Sequence, residues 1–108
     1  MSAFKAALGL CGMSIAEASE FLGVSEPMLK HYSAGTRQPP HEVLAMLARL
    51  FDQIVEVSEH SLDVFERDEI TPDAVQTIAI REHGSPLPAP ALNSVVAMFV
   101  LTRMLDDE

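Results

Sequence analysis

Residues 14–39 have the sequence SIAEASEFLGVSEPMLKHYSAGTRQP, and this stretch decides the fold. Ser14 is followed three residues later by Glu17, which is the spacing of a capping box at a helix N-terminus. Gly23 stands where a left-handed residue would end that helix, and Ser25 is placed to cap the next one. The stretch therefore predicts two short helices joined by a tight glycine turn.

The side chains around this turn determine how the two predicted helices pack. Helices joined so closely can cross steeply only if a small residue lies at their contact, and Ser19 is predicted to be that residue. Val24 and Leu29 are expected to fill the crossing, with Ile15 and Tyr32 extending the core. The second helix would then present its outer face to a DNA major groove, which is about 12 Å wide.

Apolar residues recur at helical spacing on both sides of this stretch. A first helix is predicted from about residue 2. Residues 43 to 65 form a longer amphipathic pattern, predicted as one helix or as two with a break near residues 58–61. Together these segments predict a helix-turn-helix domain with a long fourth helix over residues 1–69.

The last third of the chain differs in character and is predicted to be a dimerisation extension over residues 70–108. Residues 75–81 alternate well enough for a short strand, although Thr71-Pro72-Asp73 is equally suited to start a helix. A Pro-rich turn precedes a last helix, about residues 90 to 105, that is apolar nearly all round. Such a helix is sandwiched inside the fold or in a dimer interface. The residues assigned to dimerisation are Leu92, Val95, Val96, Phe99 and Leu101.

The charges are distributed unevenly along the chain. The net charge is −9, and residues 1–50 are neutral because their four cations balance four carboxylates. Residues 51–108 therefore carry all of the excess negative charge. A nucleic-acid binder usually has a basic surface, so the few cations of the N-terminal half would have to cluster on one face.

Other classes of function find little support in the sequence. The four histidines lack zinc-ligand spacing, no glycine-rich phosphate loop follows a strand, and no serine has a paired base. The lone thiol of Cys11 is expected to be a core residue in a reducing cytoplasm. The most apolar stretch is too short for a bilayer, and the N-terminus lacks a secretory leader pattern. We expect a cytoplasmic protein that is not an enzyme and needs no cofactor or metal.

The residues between about 2 and 58 include a recognisable set: Ile15, Leu22-Gly23-Val24-Ser25, Leu29, and the spacing to Gly35 and Pro39. In this set the chain resembles the lambda-repressor-like (Xre) helix-turn-helix family, which implies a mainly α fold of that type. It departs from the family at Ser19, which replaces the usual alanine, and at Pro27 and Met28, which stand where polar base-contacting residues are usual.

The resemblance implies which residues contact double-stranded DNA. Lys30 can reach a guanine edge or a phosphate, Met28 can contact a thymine methyl, and His31 can donate or accept a hydrogen bond. The loop after the second helix is expected to touch phosphate. The full predicted set is Ser25, Glu26, Pro27, Met28, Lys30, His31, Thr36, Arg37 and Gln38.

The order of elements, together with residues 94–97, is more loosely similar to the autorepressors associated with anti-CRISPR operons, in which the C-terminal part makes the dimer. The expected function is therefore a homodimeric, sequence-specific regulator that occupies a palindromic operator and blocks polymerase. The alternative is a protein-interaction module that kept the fold but lost DNA binding. An antitoxin, with its acidic tail engaging a toxin, would combine both functions.

Overall fold

The computed structural model describes residues 3–64 and 70–106, with side chains described up to residue 62 in the first range and residue 102 in the second. These ranges contain no strand. They form six helices: α1 (Ala3–Leu10), α2 (Ile15–Leu22), α3 (Glu26–Ala34), α4 (His41–Val64), α5 (Pro72–His83) and α6 (Ala89–Asp106).

The chain divides into two compact units, Met1–Phe51 and Asp52–Glu108. Helix α4 contributes residues to both units. The division therefore falls inside α4. The domain boundary predicted after residue 69 lies outside the described residues and stays a prediction. Phe65, the last residue of the predicted long helix, also lies outside them.

The predicted capping box at the start of α2 is confirmed. The Ser14 backbone N–H donates to Glu17 Oε1 at 2.9 Å, and the Glu17 N–H donates to Ser14 Oγ at 3.2 Å. Gly23 ends α2 with φ 69°, a left-handed conformation that glycine adopts without steric cost. Ser25 then caps α3 by accepting from the Met28 N–H at 3.4 Å. The predicted helix–glycine–helix order is therefore confirmed for α2 and α3.

The core of Met1–Phe51 is built around α3, which packs against both α1 and α2. The rings of Phe4 and Tyr32 meet edge to face, with centroids 5.5 Å apart. Such aromatic pairs add about 0.5–1.5 kcal/mol beyond their buried area. The other buried apolar side chains of this unit are Leu8, Cys11, Met13, Ala18, Leu22, Leu29, Val43, Leu47 and Leu50.

The strand predicted over residues 75–81 is wrong, because the segment lies in α5. Thr71 Oγ1 accepts from the Ala74 N–H at 3.1 Å, and Gly84 ends the helix with φ 76°. Val75, Ile78 and Ala79 are buried at helical spacing. Capping at both ends and this helical stripe outweigh the alternation of residue types.

Helix α4 continues without a break through residues 58–61, so one long helix is formed and not two. Ser58 and Ser61 are buried on the same side as Val57. The Ser61 hydroxyl donates to the Val57 carbonyl at 2.8 Å, which satisfies its buried polar atom within the helix.

In Asp52–Glu108, α5 packs against α6 and the loop between them is fixed by one side chain. Gln76 Nε2 donates to the Leu87 carbonyl at 2.9 Å, and the Leu87 N–H donates to Gln76 Oε1 at 2.8 Å. Helix α6 buries the stripe Ala91, Val95 and Phe99, one residue per turn.

The residues predicted for dimerisation differ in their exposure, and their role in a dimer stays a prediction. Val95 and Phe99 have no exposed surface in a single chain, so neither has surface left for a partner chain. Leu92 and Val96 are half-buried, and Leu101 is 64% exposed. Of the predicted set, Leu92, Val96 and Leu101 therefore keep surface for a dimer contact through α6.

We expect Ser14→Ala to lower the free energy of unfolding by about 1 kcal/mol, because the cap of α2 is lost. Urea unfolding followed by circular dichroism measures the change. Ser85→Ala, at an exposed serine after α5, is the matched control and should unfold as the wild type does. Equal stability of Ser14→Ala and the control would contradict a stabilising cap.

Candidate nucleic-acid interface

Helix α3 has a buried side and an exposed side, because its apolar residues recur at helical spacing. Leu29 and Tyr32 are buried and hold the helix against the core. Pro27, Lys30 and His31 are exposed. The sequence thus directs a proline, a lysine and a histidine outward from a helix that is anchored on its inner side.

The turn before α3 is fixed by Ser19, whose hydroxyl donates to the Val24 carbonyl at 2.6 Å. This bond satisfies a carbonyl in the turn that no helix satisfies. Ser19 itself is half-buried, whereas its neighbour Ala18 is completely buried. Ala18 is thus the more deeply packed small residue, a role that the sequence analysis missed. Ile15 and Val24, which were predicted to be core residues, are only half-buried.

Thr36, in the loop after α3, is hydrogen-bonded to the last turns of that helix. Thr36 Oγ1 lies 2.9 Å from Nδ1 of His31 and donates to the His31 carbonyl at 3.2 Å. Since the hydroxyl hydrogen is used on the carbonyl, Nδ1 is assigned as the donor to Thr36. In the tautomer with the proton on Nδ1, Nε2 is an acceptor, which matches the amino groups of adenine and cytosine in the major groove.

Two exposed cations, Lys30 and Arg37, lie on this side of the chain, one on α3 and one in the loop. The carboxylate of Glu26 in the first turn of α3 opposes them. The positive end of the α3 dipole favours an anion, but an exposed carboxylate in the same turn reduces that attraction. The electrostatic attraction between a single copy and a polyanion such as DNA is therefore weak.

The structure places eight of the nine predicted contact residues on the surface, and Met28 is half-buried. They occupy the N-terminus and exposed side of α3 and the loop that Thr36 ties back to it. The half-burial of Met28 leaves only part of that side chain for a thymine methyl. This arrangement suits insertion of a helix into a groove, with the loop on a neighbouring phosphate.

Sequence reasoning missed two histidine–glutamate pairs that join α4 to α5. His60 Nε2 lies 3.3 Å from Glu82 Oε1, and His83 Nε2 lies 3.3 Å from Glu56 Oε2 without hydrogen-bond geometry. The partners are more than twenty residues apart in the chain, so no local pattern links them.

Within the described ranges, no three His, Cys, Asp or Glu side chains are grouped to hold a metal ion. Among the described helices, none is long and apolar enough to cross a membrane.

Burial raises the pKa of the Cys11 thiol, because the thiolate would lose its hydration. We expect iodoacetamide at pH 8 to alkylate the native chain at least about tenfold more slowly than the urea-unfolded chain, since the sulfur reacts only after opening. The native state also binds the thiol proton more tightly than the unfolded state. The free energy of unfolding should therefore fall as the pH rises past the ordinary thiol range.

Cys11→Ala is the control for this pH dependence and should lack the alkaline decrease attributable to the thiol. Equal alkylation rates for native and unfolded chains would contradict the buried position of Cys11.

No protein-family model matches the chain, and no match was found among curated proteins or among solved structures.

Proposed function

We propose that the chain is a dimeric, helix-turn-helix transcriptional regulator that inserts the exposed side of α3 into the major groove of double-stranded DNA. One observation carries the proposal: α3 is anchored by buried Leu29 and Tyr32 while Lys30 and His31 face outward. The hydrogen bonds of Ser19 and Thr36 fix the turn before α3 and the loop after it, which supports the proposed placement of the helix and of the loop assigned to phosphate. Such a regulator acts in the cytoplasm, where its operator lies.

The dimer follows from the weak charge of one copy. Linking two weak sites makes the second contact intramolecular and multiplies affinity by roughly 10²–10⁴. Helix α6 provides a surface for this purpose, because residues 89–102 contain no charged side chain in a unit that is otherwise strongly acidic. Leu101 on α6 is the most exposed large apolar residue among the described side chains.

Fluorescence anisotropy tests the proposal directly, with a labelled duplex from the region upstream of the protein's own gene and a shuffled duplex of equal composition. We expect the upstream duplex to bind roughly 10³-fold more tightly than the shuffled one. Its affinity should fall with rising salt, by a log–log slope of about −0.9 for each phosphate contacted. Absence of binding to any duplex at low salt would overturn the proposal.

A protein-interaction module or antitoxin is the second candidate. It is favoured by the exposed Glu26 and Pro27 on the face assigned to DNA, and by the net charge of −9. If no DNA is bound, this candidate replaces the first, and a partner should co-purify with the tagged chain from its own cell. A protein that binds its upstream duplex and recovers no partner would contradict the second candidate.

A further inference from the structure

A hollow of about 530 Å³ lies among α1, the residues leading into α2, and α3 within Met1–Phe51. Its walls are largely apolar and include Leu8, Met13 and Ile15. This volume falls within the range of small-molecule sites, roughly 300–1,000 Å³. The hollow lies beside the face that we assign to DNA, since Lys30 of that face also lines it.

The polar groups of the hollow are few and favour an anion. Lys5 and Lys30, two of the four cations in residues 1–51, both line it. Ser33 also lines it, and its hydroxyl oxygen is buried without a hydrogen-bond partner in the described structure. A buried hydroxyl without a partner is destabilising, so a bound polar group that reaches it would recover part of that loss.

Gly9 is a further sign that the hollow is kept open. It lies within α1 and does not have a positive φ, so the backbone does not require glycine there. A Cβ at this position would meet nothing within 4 Å. Glycine inside a helix is destabilising relative to alanine, because more backbone freedom is lost on folding. Because Gly9 has no side chain, nothing projects from this part of the wall into the hollow.

We propose that this hollow binds a small anionic amphiphile, a molecule with an apolar body and one carboxylate end. The apolar body lies against Leu8, Met13 and Ile15, and the carboxylate lies near Lys30 and the Ser33 hydroxyl. Bound ligand would occupy Lys30 and so weaken its contact with DNA. This regulatory step rests on the proposed DNA-binding function, whereas the ligand site itself does not.

Octanoate is the probe, and octanol of equal chain length is its uncharged match. Titrations are followed by the backbone amide signals of ¹⁵N-labelled protein. We expect octanoate to shift the amides of Gly9, Ser33 and Ala34, with octanol binding about tenfold more weakly because it lacks a charge-assisted hydrogen bond. Equal affinity for the two probes, or octanoate shifts confined to other residues, would overturn the site.

Two variants at Gly9 form a matched pair. Gly9→Leu fills the hollow and should abolish octanoate binding, whereas Gly9→Ala leaves most of the space and should bind like the wild type. Lys30→Gln keeps the hollow open and should weaken octanoate about tenfold while leaving octanol unchanged. Unchanged octanoate binding in Gly9→Leu, or in Lys30→Gln if the Gly9→Leu chain fails to fold, would contradict the proposal.

The regulatory step is tested by adding saturating octanoate to the DNA anisotropy measurement. We expect weaker DNA binding by the wild type and no change for Gly9→Leu. Octanoate binding without any change in DNA affinity would overturn the regulatory step. The octanoate titration contains no DNA, so it decides the ligand site even if the chain proves not to bind a duplex.

Discussion

Lys30→Ala combined with Arg37→Ala should weaken binding of the dimer to the upstream duplex by about 10³-fold or more, because four contacts are lost and each costs about 1–3 kcal/mol. Both side chains are exposed, one on α3 and one in the loop that follows it. If both contact phosphate in each copy of the dimer, the log–log salt slope should become shallower by about 3.6, because four phosphate contacts are lost. If Lys30 instead contacts a guanine edge, its single variant should reduce discrimination against the shuffled duplex. Fluorescence anisotropy at several salt concentrations measures both quantities.

Arg49→Ala is the control for this double variant. Arg49 is an exposed cation of the same unit, but it lies on α4, away from the residues assigned to DNA in the sequence. Its removal should change affinity by less than about twofold, since a distant exposed charge is largely screened. A loss in Arg49→Ala equal to a single loss at Lys30 or Arg37 would show that overall charge, and not this face, governs binding.

Leu101→Asp should convert the protein from dimer to monomer and weaken binding to a palindromic duplex by about 100-fold or more. The reason is that an aspartate placed in an apolar contact between two α6 helices would be buried without a partner. Light scattering gives the mass and anisotropy gives the affinity. Because Leu101 is 64% exposed within one chain, the substitution should leave the fold of the unit intact.

Leu10→Asp provides the matched control, since Leu10 is 62% exposed on α1 in the other unit. The same substitution at similar exposure should leave the mass unchanged. A Leu101→Asp chain with the mass of the wild type would mean that α6 does not form the dimer contact.

The segment around α2 and α3 could be predicted from sequence because its determinants are local. Ser14 and Glu17 are three residues apart, and Gly23 and Ser25 act on the helix ends beside them. Such interactions depend on neighbours along the chain and on little else. The exposed positions of α3 follow from the same local periodicity.

The sequence-based predictions failed where local patterns were ambiguous or where residues in contact are distant along the chain. Residues 75–81 alternate in type, yet Thr71 and Gly84 supply caps at both ends of a helix. In α6 almost every residue is apolar, so periodicity does not distinguish the buried stripe of Val95 and Phe99 from the exposed side. The hollow beside Gly9 is formed by three segments of the chain, and only their packing reveals it.

The most direct test of the central claim is to add unlabelled upstream duplex to ¹⁵N-labelled protein and record which backbone amides shift. If α3 enters the major groove, the largest shifts should fall on residues 25–31 and 36–38, with small changes along α5. Shifts concentrated on residues 89–102, or no shift at duplex concentrations that saturate a nucleic-acid binder, would contradict the proposed role of α3.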